Sequence, residues 1–355
     1  MARTHLVAGL ILLTLGCSEP PPQEAATPAD PAARESVQPT TIDWYRGSLD
    51  SAFAEAVAAD KPVLLYWGAE WCPPCHQLKV TIFKERNFID RSRLFVPVYL
   101  DGDTASAQKY AERFGVVGYP TMVVLSPQAK EITRIAGGID IDAYGHVLDA
   151  AVGQAESVKD LVAAVVAGTT LSPAACRLIA YYSWAQDNEQ LLKHHAGTAL
   201  FPLLESACPL SLATERARLF TQYLRSLAAD DSRSLDEAQR SALNSRLQGL
   251  LGDAGLARAD LEFTILEAAN TAELTTSASG AARQQLVAQW EQVLSQLRDD
   301  DALPKRERIY TLAGQLRLQR LGAADDAPPL PGLAAEIRRV ASWADADTPD
   351  PYERQ

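Results

Sequence analysis

The chain has 355 residues, of which 47% are hydrophobic and 22% are charged, a composition typical of globular proteins with two or three domains. Its 33 basic and 45 acidic residues give a net charge of −12 at neutral pH. Residues 1–41, 42–153 and 154–355 carry −2, −3 and −7, so none of these segments offers the basic surface that nucleic-acid binding requires.

The first residues have the pattern of an export signal. Arg3 and His5 precede the apolar run Leu6–Leu15, which is too short to span a bilayer, and Gly16-Cys17 follows. Residues 13–17, Leu-Thr-Leu-Gly-Cys, resemble a bacterial lipoprotein signal. This resemblance implies that residues 1–16 are removed and that Cys17 is lipidated. The alternative is ordinary signal cleavage that leaves Cys17 as a spare thiol.

Residues 17–41 are rich in Pro, Ala, Glu and Thr, and they include Pro20-Pro21-Pro22. Such a segment lacks the apolar side chains that build a core, so we expect a disordered tether. With lipid on Cys17, the expected location is the bacterial cell envelope, facing the periplasm, with membrane contact through the lipid anchor only. Ser18 follows the cysteine, which leaves sorting to the outer membrane open.

Residues 42–153 alternate between predicted helices and strands. The pattern predicts a first helix with Phe53 and Val57 on one face, and a helix that continues through Gln77–Phe83 after the first strand. The third strand and the last one form a predicted hairpin. This order indicates a mixed α/β sheet flanked by helices. The predicted strands are Val63–Trp67, Phe95–Leu100 (ended by Asp101-Gly102-Asp103), Met122–Leu125 and Glu131–Ile135, and the other helices are Leu49–Ala59, Ala105–Phe114 and Asp140–Val152.

A cysteine pair, Trp71-Cys72-Pro73-Pro74-Cys75, stands between the first strand and the following helix. A helix N-terminus carries unpaired N–H groups and partial positive charge, which stabilise a thiolate at Cys72 and lower its pKa. Cys75 comes one turn later, within bonding reach of Cys72. Pro73 and Pro74 lack N–H groups that the first helical turn leaves unpaired in any case. The pattern predicts a redox-active pair with Cys72 as nucleophile.

Two other interpretations of the pair are half of a zinc site and a static disulfide. Zinc requires four ligands, but the sequence contains no second Cys-x-x-Cys or His-x-x-x-His pair, and His76 is badly spaced for sharing a metal. A ring closed by two intervening residues constrains the unfolded chain little, so a purely structural bridge there would stabilise the fold little. We therefore expect neither a metal nor another cofactor.

A second motif, Gly118-Tyr119-Pro120-Thr121, precedes the apolar strand at Met122. Together with the cysteine pair it resembles the thioredoxin fold over roughly residues 42–153. Further segments make this part similar to the C-terminal periplasmic domain of the transmembrane thiol:disulfide interchange reductases. These segments are Ile42-Asp43-Trp44, Lys61-Pro62-Val63, Thr81-Ile82-Phe83, Asn87-Phe88-Ile89 and Gly137-Gly138.

The resemblance implies that Cys72 attacks and Cys75 resolves. It also implies that Pro120 is a cis-proline facing the pair. Tyr119 would offer backbone groups to an extended substrate peptide, as in strand addition. The expected substrate-binding residues are Trp71, Pro73, Pro74, Tyr119 and Pro120.

The chain departs from the family at two positions. Where many members bury an aspartate that accepts a proton, this sequence has Tyr66, and Tyr99 stands where a lysine often pairs with that aspartate. Water or Glu70 remain as acceptors for the proton of Cys75, although an exposed loop carboxylate is the plainer interpretation of Glu70. His76 is interpreted as a solvent-facing helix residue.

Residues 154–355 read as an all-α region of roughly seven to nine helices, with stacked helical pairs as one arrangement. Ser172-Pro173 predicts a capped helix start, and Ser234-x-x-Glu237 predicts a capping box. One helical face collects a large apolar stripe: Leu286, Trp290, Val293, Leu294 and Leu297. Cys176 and Cys208 are candidates for a structural disulfide in an oxidising compartment.

These observations predict an envelope thiol:disulfide oxidoreductase of thioredoxin type, with reduction favoured over oxidation. Its partners would be client proteins with disulfides or thiols and a membrane or periplasmic electron donor. The alternative is a lipoprotein scaffold or binding module, in which the helical region carries the function and the thioredoxin fold docks partners or senses redox state.

Overall fold

The computed structural model describes residues 41–136, 141–152, 156–187, 189–230, 234–277, 280–303, 305–321, 332 and 335–339. The predicted signal, the tether, Cys17 and Gly137-Gly138 lie outside the described residues. Each helix in these ranges is too short or too polar to cross a membrane.

The described residues contain one mixed sheet of four strands in the order β2-β1-β3-β4. Strand β1 pairs in parallel with β2 and antiparallel with β3, and β3 pairs antiparallel with β4. The two central strands, β1 and β3, are buried along their whole length. This arrangement confirms the predicted mixed sheet. The strands are β1 (Val63–Gly68), β2 (Val96–Asp101), β3 (Thr121–Leu125) and β4 (Glu131–Ala136).

The helices of the α/β part follow the predicted order with two differences. The helix after the cysteine pair ends at Val80, and a further helix, Arg86–Ser92, was not predicted from the sequence. In the first helix Leu49, Ala52 and Ala56 are buried and Phe53 packs against the same core as predicted, whereas Val57 is 58% exposed and lies outside the packed face. The helices are α1 (Leu49–Ala59), α2 (Pro73–Val80), α3 (Arg86–Ser92), α4 (Ala105–Arg113) and α5 (Ile141–Val152).

The rest of the described chain is helical. Eleven α-helices lie between Val158 and Gln319 in the described residues, against the roughly seven to nine expected from periodicity. Three of them have only four to six residues, too few to leave a periodic apolar pattern. They are α6 (Val158–Val166), α7 (Pro173–Ala180), α8 (Leu191–His194), α9 (Gly197–Ala207), α10 (Ala213–Ala228), α11 (Glu237–Gly252), α12 (Ala254–Ala257), α13 (Leu261–Leu266), α14 (Ala268–Thr275), α15 (Ala281–Arg298) and α16 (Lys305–Gln319).

Helix capping agrees with the sequence at one site and differs at another. The Ser172 side chain accepts from the N–H of Ala175, and Pro173 opens α7 as predicted. The predicted box at Ser234 is wrong, because Asp236 caps α11 and Gln239 returns the bond to the backbone of Asp236. Two overlapping motifs of the same spacing compete there, and the aspartate and glutamine satisfy the box equally well.

The sheet is packed on both faces. Alternate residues of β1 enter different cores: Val63, Leu65 and Trp67 pack with α1 and α4, whereas Leu64 and Tyr66 pack on the opposite side. That opposite core continues without interruption through α5, α6, α7 and α9, and it includes Cys176 and Cys208, which form a disulfide. The sheet and the first helices of the all-α region therefore share one core. A separate core lies within α10–α16.

A buried arginine ties β4 to its surroundings. Arg134 is fully buried and donates two hydrogen bonds to Glu131, at 2.8 and 2.7 Å. Its guanidinium also donates to the carbonyl oxygens of Phe114 (2.6 Å) and Gly115 (3.2 Å), just beyond α4. The backbone carbonyl of Arg134 accepts from the N–H of Ser183, so this residue links β4 to the helical region as well.

Replacement of Glu131 by Gln leaves the buried Arg134 guanidinium without the carboxylate that pairs with it directly. We expect the free energy of unfolding to fall by about 3–5 kcal/mol in urea denaturation. The matched control is Glu189→Gln, which breaks an ion pair with Lys159, whose side chain is 58% exposed. That change is expected to cost less than about 1 kcal/mol. Equal losses in the two variants would contradict the role given to Arg134.

Candidate redox-active site

The cysteine pair stands at the start of α2. Cys72 is the N-cap residue, and Pro73 and Pro74 occupy the first helical positions. The Cys72 sulfur accepts a hydrogen bond from the backbone N–H of Cys75 at 3.2 Å. The two cysteines are joined by a disulfide, and both are buried. A sulfur held at a helix N-terminus with an N–H directed at it is in the environment that stabilises a thiolate.

Strand β1 determines where the pair lies. It ends at Gly68, and the short loop that follows brings the backbone N–H of Cys72 to the carbonyl oxygen of Ala69 at 3.3 Å. Ala69 is buried and packs with both cysteines. Strand β1 is hydrogen-bonded to β2 on one edge and to β3 on the other. The sheet therefore holds the end of β1, and with it the start of α2, in place.

The Gly118–Thr121 motif lies beside the cysteine pair. The Tyr119–Pro120 peptide bond is cis, and Pro120 is buried. The Tyr119 side chain packs against the cluster of Ala69, Cys72 and Cys75. Trp71 is 54% exposed, and its ring lies edge-on to that of Tyr119 with 6.2 Å between centroids. Trp71 and Tyr119 thus form an aromatic surface beside the disulfide, while Pro73 is exposed and Pro74 half-buried.

Three residues that support this surface were not identified from the sequence. The indole N–H of Trp71 donates to Asp103 at 2.8 Å, and the Gln108 amide donates to the Tyr119 hydroxyl at 3.2 Å. A Cβ at Gly102 would come within 2.4 Å of the Tyr119 ring, so only glycine allows the ring to lie there. From the sequence we predicted only that a strand ends at residues 101–103. No local pattern there indicates that the side chains of Trp71 and Tyr119 pack against this turn.

Tyr66 stands at the position where the family resemblance implies a buried acid, and Tyr99 stands where it implies that acid's lysine partner. Tyr66 and Tyr99 are opposite each other in the β1–β2 register, and their rings stack with centroids 5.5 Å apart. Burial, and then the neighbouring Tyr99, raise the pKa of Tyr66 above its ordinary value of 10.0. The Tyr66 phenol therefore stays protonated at neutral pH and is not a proton acceptor for Cys75.

The other residues considered for proton transfer lie at the surface. The Glu70 side chain is 86% exposed and pairs with Lys79 at 3.2 Å, which matches the interpretation of Glu70 as a loop carboxylate. His76 is an exposed residue of α2. Within the described ranges, no three His, Cys, Asp or Glu side chains are grouped to hold a metal ion.

The comparison with known proteins identifies relatives of the α/β part. A family model described as a thioredoxin-like domain matches residues 49–151. The thiol:disulfide interchange protein DsbD 1 of Pseudomonas aeruginosa is 29% identical over 152 residues, which are 41% of this chain and 25% of that protein. DsbD of Pseudomonas fluorescens is 30% identical over 103 residues, which are 28% of this chain and 17% of that protein.

The chain therefore spans a quarter or less of the length of these curated relatives. Among solved structures, a thioredoxin from Thermus thermophilus is 28% identical and covers 31% of this chain and 85% of its own, with a TM-score of 0.28. The family match covers the sheet, its flanking helices and the cysteine pair. Residues 49–151 are a thioredoxin-like domain, homologous to the thioredoxin-like domains of DsbD proteins, with its adjacent cysteines at Cys72 and Cys75.

Proposed function

We propose that this protein is a thiol:disulfide oxidoreductase that exchanges a dithiol for a disulfide with client proteins through Cys72 and Cys75. The observation that carries the proposal is the position of Cys72, whose sulfur caps α2 and accepts the N–H of Cys75. A thiolate formed at that sulfur is stabilised without any further charged group. The homology of residues 49–151 to DsbD domains supports the same chemistry.

The exchange proceeds in two steps. The Cys72 thiolate attacks one sulfur of a client disulfide, forming a Cys72–client bond and releasing the other client sulfur as a thiolate. Cys75, once deprotonated, attacks the Cys72 sulfur, which forms the Cys72–Cys75 disulfide and releases the second client thiol. Two electrons pass from the pair to the client. The pair then requires two electrons from a donor, which we propose to be a membrane or periplasmic dithiol protein.

The surface around the pair suits an extended polypeptide. Trp71 and Tyr119 provide aromatic rings beside the disulfide, and Val117, two residues before Tyr119, is 79% exposed. Backbone groups at Tyr119 would form hydrogen bonds with the backbone of a client segment, as in strand addition. Such bonds do not require a particular amino-acid sequence in the client. Apolar contact together with backbone pairing favours unfolded or flexible clients.

Trapping the intermediate tests the exchange. Cys75→Ser removes the resolving thiol, so we expect covalent client complexes that accumulate on non-reducing gels and disappear on reduction. Cys72→Ser is the matched control and should trap nothing, because the attacking sulfur is absent. An unchanged cellular phenotype for Cys72→Ser, with no trapped complexes in Cys75→Ser, would instead favour the scaffold role of the helical region.

The direction of electron flow is a separate part of the proposal. We infer reduction of clients from the resemblance to the interchange reductases. Equilibration of the Cys72–Cys75 pair in glutathione buffers should yield a potential near that of thioredoxin, about −270 mV. A potential near that of the oxidant DsbA, about −120 mV, would reverse the direction.

We further propose that the protein works in the bacterial envelope, on the periplasmic side, held to the membrane by lipid on Cys17. The signal-like pattern of residues 1–17 supports this location, and so does the second disulfide, Cys176–Cys208, since such bonds persist in oxidising compartments.

Labelling cells with a radioactive fatty acid tests the anchor. The wild-type protein should carry the label and sediment with membranes, and separation of inner from outer membrane decides its sorting. Cys17→Ala should lose the label. A wild-type protein that is exported but unlabelled would show ordinary signal cleavage and refute the anchor.

A further inference from the structure

The helical region reaches the loop that carries the cis-proline. The side chain of Gln186, in a short 3-10 turn at Trp184–Gln186, lies 3.0 Å from the hydroxyl oxygen of Thr121. Thr121 follows Pro120 directly and is fully buried. Gln186 thus touches the residue that follows the cis-proline, while Tyr119, the residue before that proline, packs against the cysteine pair.

The hydrogen-bond geometry at Thr121 assigns a direction to this contact. The Thr121 hydroxyl lies 2.7 Å from the carbonyl oxygen of Gly118 and 3.0 Å from the Gln186 amide oxygen. A hydroxyl has one proton, so it cannot donate to both oxygens. The oxygen and nitrogen of a glutamine amide have nearly the same shape, and rotating the amide presents its N–H₂ group to Thr121.

With that rotation the Thr121 hydroxyl donates one hydrogen bond and accepts the other. The Gln186 amide donates to the Thr121 hydroxyl, which donates to the Gly118 carbonyl. Gly118 and Thr121 flank the Tyr119–Pro120 bond on its two sides, so this chain of bonds closes the loop. Linked hydrogen bonds of this kind polarise and strengthen one another.

The backbone of Gln186 is itself well held. The N–H of Ser183 donates to the carbonyl oxygen of Arg134 at 2.9 Å, and the N–H of Gln186 donates to Ser183 at 2.9 Å. The buried indole of Trp184 donates to the carbonyl oxygen of Ile179, in the helix that contains Cys176. Gln186 is therefore fixed to β4 and to the disulfide-bonded helical core, and not to a free loop.

We propose that Gln186 is a positioning residue for client binding: through Thr121 it holds the Gly118–Thr121 loop in the shape that presents Tyr119 to a client polypeptide. The inference rests on the proposed function and assigns a task to the helical region within it. Gln186 touches neither cysteine by this account, so it should leave the intrinsic chemistry of the pair unchanged.

The test compares a protein substrate with a small one, in the full-length chain. Gln186→Met keeps the length of the side chain but removes both polar groups, and Thr121→Val removes the hydroxyl. We expect the rate of insulin reduction to fall by about 2- to 10-fold in Gln186→Met, the loss expected for one hydrogen bond, and by at least as much in Thr121→Val, which removes two. The rate with oxidised glutathione and the reduction potential of the pair should match those of the wild type, because neither depends on backbone pairing.

Two further variants sharpen the result. In the Gln186→Met/Thr121→Val double variant the loss should equal that of Thr121→Val alone, because Thr121→Val already removes both hydrogen bonds of the chain. Gln186→Glu retains the size but only accepts, so it should resemble Gln186→Met if the amide donates as assigned. Gln128→Met is the matched control, since Gln128 is exposed in the turn at the far end of the β3–β4 hairpin.

The outcomes separate the two proposals. Wild-type insulin rates in Gln186→Met, or equal losses with insulin and glutathione, would refute the positioning role while leaving the oxidoreductase proposal intact. Additive losses in the double variant would also refute it. A wild-type protein that reduces no disulfide would refute the proposed function, and the positioning role with it. Thermal melting of each variant identifies any general loss of folding. If Gln186→Met does not fold, the insulin and glutathione rates of Gln186→Glu test the positioning role instead.

Discussion

The proposed thiol–disulfide chemistry of this protein depends on the N-terminus of one short helix. Because α2 begins with two prolines, the N–H that its first turn directs at the Cys72 sulfur is that of Cys75, and Cys72 lies at the positive end of the helix dipole. The surrounding structure serves to hold this terminus in place. Strand β1, which a short loop connects to α2, is paired along both edges and buried on both faces, so a central strand of the sheet positions the sulfur of Cys72.

The aromatic surface beside the pair is built from residues that are distant in sequence. Tyr119 packs on the cysteines because Gly102 leaves room for its ring, and Trp71 is oriented by Asp103. Tyr66, at the position where the family resemblance implies an acid, stacks on Tyr99, and burial keeps the Tyr66 phenol neutral. A thiolate at Cys72 would therefore rely on the helix terminus rather than on a buried carboxylate at that position.

The helical region is more than an addition to the thioredoxin-like domain. It completes the hydrophobic core on one face of the sheet, and its segment around Ser183 bonds to the backbone of Arg134. Arg134 in turn contacts the end of α4 through Phe114 and Gly115. Through Gln186, whose amide lies 3.0 Å from the Thr121 hydroxyl, the helical region also contacts the residue that follows the cis-proline.

The sequence by itself was enough to predict most of the helices and strands of the α/β part and to identify Cys72 and Cys75 as the candidate redox pair. The strands, the first helices, the cap at Ser172 and the start of α2 depend on local patterns: apolar periodicity, proline position and helix capping. The mixed sheet followed from the order of these elements. Local signals failed where two compete, as at Ser234 and Asp236, or where a helix is as short as α3, α8 or α12.

Only the tertiary structure decided which distant side chains meet. Gln186 and Thr121 are 65 residues apart, and Trp71 and Asp103 are 32 apart. The burial of Arg134 with Glu131 likewise depends on β4 being covered by segments from elsewhere in the chain. Such contacts leave no periodic or spacing signal, because each partner alone looks like an ordinary polar surface residue. The cysteine chemistry was readable from one short motif, whereas the groups that hold its binding surface became visible only when the chain was folded.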